Sequence, residues 1–243
     1  LFNAFIVMSF YAVLLSWHII YFFVSFGLQW KNDAQGYFFS NVLQASNGFN
    51  GFTQFSLPVF IALVAAWIII FSYVKNGFES IKRGFLITFP VFVILLLFFL
   101  LYSLNLDNAL TGVYSFLKPR FGSLFNSEIW IASFSLAVVS LGLSFGIMHA
   151  FAKKCKGFAA ENSMIIAVFE LMAGFIAGFI MFAILGFLSV KSGIGVDKLA
   201  SHDISFSFTV LAQALPLFYK PTLLSLLFFM LLSIFFIFGA ASL

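Results

Sequence analysis

Ser140, Gly142, Ser144 and Gly146 alternate hydroxyl side chains with glycine inside a stretch otherwise apolar enough to cross a bilayer. A regular helix would spread these residues over opposite faces, whereas a broken one would let their backbone groups converge. Freed carbonyls can then ligate a cation, and the positive end of a following half-helix can face a carboxylate. The competing reading is that small residues simply permit close helix packing. Glu170 is the only acidic residue placed well inside an apolar run, about eight residues in, or roughly 12 Å at the helical rise. No Lys or Arg lies within a run. The charge of Glu170 must therefore be balanced by a bound cation, by groups outside this sequence, or by protonation between helices. Tyr11 offers a hydroxyl near mid-run, with a packing role as its alternative.

Other chemistries fit poorly. Gly142 to Gly146 also matches G-x-S-x-G, but a nucleophile elbow needs a strand-to-helix turn and an ordered acid and histidine, so no enzyme is expected. His18 and His149 are each solitary, which gives no metal centre. No organic cofactor is called for.

The elements that must position these groups follow from composition. With 63% hydrophobic and 8% charged residues, the chain cannot hide its apolar surface inside a water-soluble globule. Six apolar runs, Ala4–Phe26, Phe55–Val74, Gly84–Tyr102, Ile129–Phe151, Ser163–Val190 and Leu223–Ser242, each approach the ~20 residues of a spanning helix. The fourth is expected to break near 140–144. Few polar residues alternate within the runs, which argues against a transmembrane barrel. The expected class is an all-α polytopic membrane bundle, a single domain over residues 1–243. The 39 phenylalanines read as lipid-facing or packing residues.

Six of the twelve Lys and Arg, namely Lys75, Lys82, Arg83, Lys153, Lys154 and Lys156, fall in two short connections, which places those loops in the cytoplasm. The net charge of +4 thus reports topology and not nucleic-acid binding. Phe78 to Arg83 reads as a tight basic turn, with Pro90 in or near the first turns of the third span. External helices are expected around Ala34–Gln44 and Asn108–Leu117. The longest loop, Gly193 to Tyr219, carries an apolar stretch Phe206–Leu217 that could dip back towards the membrane and serve as a lid. Starting and ending in apolar runs, the sequence reads as a fragment, without a signal peptide. Cys155 is expected to be an ordinary thiol, and the lack of an N-x-S/T sequon favours a prokaryotic source.

Four stretches resemble the neurotransmitter:sodium symporter family. Phe10-Tyr11 with Ser16-Trp17 and Tyr21 resembles its third-helix pattern. Val74 to Pro90 resembles its inner loop, and Leu117-Lys118-Pro119 with Trp130-x-Ala132 its approach to helix six. Ser140 to Gly146 resembles the unwound centre of that helix, and Glu170 falls where the seventh helix carries Asn or Asp. The resemblance covers nearly the whole chain, as helices three to eight of twelve. It implies part of a five-plus-five inverted-repeat fold and sodium-coupled uptake of a small amino acid or related amine by alternating access. The matching positions are Tyr11 for the substrate carboxylate, Val7, Val139, Gly142 and Phe145 with Ser140 around the substrate, and Ser140 with Glu170 at a first sodium site. Ala241 and Ser242 match a second sodium site only if a one-turn shift is allowed. Otherwise Ile237 and Phe238 fall there and the site is lost.

Leu136 stands where the family has a gate-region Gln, and Gly142 replaces a serine. The expected protein is a multi-pass transporter of the bacterial inner membrane. Its partners are lipid, sodium as the coupling ion and a small-molecule substrate, and homo-oligomerisation is left open. The alternatives are proton coupling, motivated by glutamate at 170, and a non-transporting receptor or scaffold, motivated by the departures.

Overall fold

The computed structural model describes residues 2–45, 56–143, 159–200 and 203–242. All regular structure among them is helical, and five helices are long and apolar enough to cross a membrane. These are α1 (Phe2–Val24), α2 (Leu57–Val74), α3 (Phe78–Leu104), α6 (Ala159–Ser192) and α7 (Pro221–Ser242). Two shorter helices, α4 (Ala109–Leu117) and α5 (Ser127–Ser140), lie between α3 and α6 in sequence. The protein is a helical membrane bundle.

α1 packs against α2 and α7, α3 against α6 and α7, and α4 against α6. Lipid is as apolar as these side chains, so close van der Waals fit and buried hydrogen bonds must hold the helices together. The tightest fit is α4 on α6. A Cβ at Gly112 would collide with the Phe182 carbonyl, and one at Gly186 would come within 2.6 Å of the Gly112 nitrogen. Only a glycine pair lets these two backbones touch.

The connections after α1 and before α7 are closely packed against each other. Ala34–Gly36 and Tyr37–Val42 make a short α turn continued by a π-helical one, and Ser207–Leu211 is a second π-helical segment. Phe206, Phe208, Leu211, Ala212 and Leu215 are all buried, so the apolar stretch of the long loop packs into the core of the protein. Phe38 stacks on Phe208 at 5.0 Å and 5°, and Tyr21 packs against Trp30 at 5.0 Å and Phe229 at 4.9 Å. Trp30 Nε1 donates to the Ala212 carbonyl at 2.8 Å, joining the two loops through a buried bond.

One expectation is corrected. The basic segment Phe78 to Arg83 is not a turn: the turn is Lys75 to Gly77, and α3 begins at Phe78, with Pro90 well inside it. Lys82 and Arg83 therefore occupy its first turns, where long basic side chains can reach the interface while their stems cover apolar surface.

Candidate functional site

α5 starts with Asn126 accepting from the Glu128 N–H at 3.0 Å and stops at Ser140. Its 14 residues span about 21 Å, short of the ~30 Å hydrocarbon core. A helix of this length cannot by itself cross the membrane. The stop has a definite structure: Gly142 adopts φ +65°, the Leu143 N–H bonds the Val138 carbonyl at 3.1 Å, and the Gly142 N–H bonds the Val139 carbonyl at 3.1 Å. This pair of bonds around a left-handed glycine is the Schellman termination, and a residue with a Cβ is strained there. The end of α5 coincides with the first residues of the stretch expected to break. Ser144, Phe145 and Gly146 lie outside the described residues, as do Lys153, Lys154 and Lys156.

A helix carboxyl end carries partial negative charge on its last carbonyls. Ser140 sits at that end, its hydroxyl on the Ala137 carbonyl at 3.3 Å, and its side chain is also the hydrogen-bond neighbour of the Glu170 carboxylate. α6 begins at Ala159, so Glu170 is about three turns into it. Tyr11 on α1 lies within electrostatic reach of the same carboxylate. Ser140 and Glu170 are thus hydrogen-bond neighbours, with Tyr11 within electrostatic reach of the carboxylate. Among the described residues no cation pairs with Glu170; the ion pair present is Arg120–Asp197, at 2.7 Å. A full negative charge, a hydroxyl and a helix carboxyl end favour a hard cation bound by oxygen.

Tyr11 is positioned from behind. Its ring rests on Gly239 of α7, where any added Cβ would collide with it, and meets the Phe236 ring edge-on at 5.8 Å. Among the described residues nothing hydrogen-bonds its hydroxyl. Val7 lies one turn before Tyr11 on the same face of α1 and is half-buried. Val139 is 47% exposed, while Gly142 is buried. Ala241 is buried, and the Ser242 hydroxyl bonds the Gly239 carbonyl at 2.8 Å. Phe238 packs against Phe85 at 4.9 Å and Phe92 at 5.7 Å.

Two residues carry more than their sequence context signals. Gly239 was legible only as part of a small-residue run, yet it seats Tyr11. His18 is fully buried, bonds the Leu14 carbonyl through Nδ1 at 2.7 Å and stacks on Phe236 at 4.7 Å, leaving Nε2 without a partner among the described residues.

The model of the sodium:neurotransmitter symporter family matches residues 28–239. An uncharacterised sodium-dependent transporter of Methanocaldococcus jannaschii is 33% identical over 95% of this chain and 48% of its own length. The sodium- and chloride-dependent glycine transporter 1 of Xenopus laevis is 28% identical over 84% of this chain and 33% of its own. The human sodium- and chloride-dependent creatine transporter 1 is 28% identical over 79% of this chain and 31% of its own. The chain spans about half the length of the archaeal relative and about a third of the vertebrate ones. The chain belongs to the sodium:neurotransmitter symporter family.

Proposed function

We propose that this chain is the central part of a sodium-coupled symporter that moves a small amino acid or related amine across the cell's cytoplasmic membrane by alternating access. It is read as a transporter and not an enzyme. The observation that carries the reading is the helix end at Ser140, closed by Gly142 and facing Glu170. Sodium would be held by the Glu170 carboxylate, the Ser140 hydroxyl and carbonyls at the end of α5. The Tyr11 hydroxyl would meet the carboxylate of the substrate, with Val7, Val139 and Gly142 beside it, and Phe145 remains a candidate for the same pocket. The second sodium site at Ala241 and Ser242 has less support, because Ser242 is bonded to its own helix. The names of the relatives, which include glycine and creatine transporters, agree with a small zwitterionic or amine substrate.

The test is reconstitution of the full-length protein in sealed vesicles. An inward sodium gradient should drive accumulation of a radiolabelled amino acid from a panel of small ones, while a proton gradient in sodium-free medium should not. Accumulation driven by protons alone would reassign Glu170 to proton coupling, since a carboxyl without a cation partner can also be neutralised by a proton. Binding without accumulation under either gradient would make the protein a receptor.

A further inference from the structure

The turn that joins α2 to α3 gathers three cations at one membrane boundary. Lys75 closes α2, and Lys82 and Arg83 lie in the first turns of α3, all three exposed. The charge bias of the connections puts this turn on the cytoplasmic side. Among the described residues none of the three belongs to an ion pair, although Glu79 lies on the same helix within a turn of Lys82 and Arg83. The cluster keeps a net positive charge for a partner.

What lies beneath the cations decides the kind of partner. Residues four apart stack on one helix face, so Leu86 lies below Lys82 and Ile87 below Arg83, about 6 Å deeper along the axis. Leu86 is 66% and Ile87 72% exposed, and Phe71, one turn from Lys75 on α2, is exposed as well. Each cation thus has a bare apolar side chain one turn deeper into the membrane. A soluble anion or an acidic peptide would use the charges and leave those side chains uncovered. A phospholipid uses both, with its phosphate above and an acyl chain below.

The turn is held in one arrangement by packing. Gly77 reverses the chain at φ +69°, and its N–H bonds the Val74 carbonyl at 2.7 Å. The Tyr73 ring fills the space over Gly84, where any added Cβ would collide with it, and so fixes the end of α2 against α3. Phe85 packs on Phe238 at 4.9 Å, which ties the same turn of α3 to α7. Charges carried on such a frame lose less freedom on binding. We propose that the turn between α2 and α3 is a binding site for an anionic phospholipid of the cytoplasmic leaflet. Arg83 takes the phosphate through its guanidinium fork, Lys82 and Lys75 flank it, and an acyl chain lies along Leu86 and Ile87. The site stands apart from Glu170 and does not rest on the transport reading.

The experiment is native mass spectrometry of the full-length protein in detergent, titrated with phosphatidylglycerol or with phosphatidylcholine of the same chains. Glycerol 1-phosphate serves as a headgroup without chains. Phosphatidylglycerol is expected to bind about tenfold more tightly than phosphatidylcholine, and glycerol 1-phosphate far more weakly than either charge-matched lipid. In the double variant Lys82→Gln with Arg83→Gln, phosphatidylglycerol affinity should fall at least about fivefold, as expected when charges near the membrane surface are removed. Unchanged phosphatidylcholine binding shows that this variant is folded, and Lys82→Arg should keep the wild-type preference. If the double variant loses both lipids, Lys75→Gln at the exposed end of α2 carries the same test: phosphatidylglycerol affinity must fall while phosphatidylcholine affinity does not. Equal binding of the two lipids by the wild type, unchanged phosphatidylglycerol affinity in these charge-removing variants, or glycerol 1-phosphate binding as tightly as the lipid would each overturn the proposal.

Discussion

The external aromatic cluster and the end of α5 are built on opposite principles. Tyr21, Trp30, Phe38, Phe208 and Phe229 are at most 3% exposed and tied across three segments by stacking and by a buried indole bond. α5, by contrast, buries none of its residues and ends at a left-handed glycine, near a carboxylate that no cation pairs with among the described residues. Dense, satisfied packing rigidifies, while few buried contacts and open hydrogen-bonding groups mark segments that can rearrange. Under the proposed function the first region is scaffold and the second the place of ligand exchange, and substitutions should separate them by what each one damages.

The largest effect is expected at the helix break. Gly142→Leu puts a branched side chain at φ +65° in a buried position, so transport should fall to background while the protein still inserts. Gly142→Ala adds strain of about 1–2 kcal/mol and should be clearly impaired. Wild-type uptake by the alanine variant would return the segment to a packing role. In the scaffold, Trp30→Phe strips the Ala212 carbonyl of its donor, which should cost about 1–3 kcal/mol. A lowered melting temperature with unchanged sodium activation is the expected signature, and altered sodium activation would mean that the two regions are not separable.

The same contrast explains what the sequence revealed. The break was legible because S-L-G-L-S-F-G interrupts an apolar run within a few residues, and Glu170 because a lone carboxylate in such a run needs a reason. The start of α3 was misread because Lys82 and Arg83 resemble loop residues, although a helix can carry them in its first turns. The seating of Tyr11 on Gly239, the contact of Gly112 with Gly186 and the burial of His18 were not legible. Each depends on which distant helix packs opposite, and no local periodicity encodes that.

Smaller effects sharpen the comparison. Tyr11→Phe removes one hydroxyl and little volume, so substrate affinity should drop about 2- to 10-fold, the equivalent of one hydrogen bond, with normal expression. Equal affinity would leave Tyr11 as packing against Gly239 and Phe236. The smallest effect concerns Asp203, whose carboxyl Ser205 holds below the ordinary range. A depressed folded pKa contributes stability above the unfolded value of about 3.9, and the contribution is lost as pH falls through the folded value. Ser205→Ala should therefore lower the melting temperature slightly at pH 7, and its gap to wild type should close on the acid side. A gap that widens towards acid would contradict the assignment.

The most direct test of the site is the sodium dependence of substrate uptake by Glu170→Gln in the full-length protein, set against wild type at matched expression. An amide offers sodium a dipole where the carboxylate offers a full charge, so half-maximal activation should shift about 10- to 100-fold to higher sodium, in line with the loss of a charged interaction. Sodium activation identical to wild type would remove Glu170 from the cation site and contradict the account.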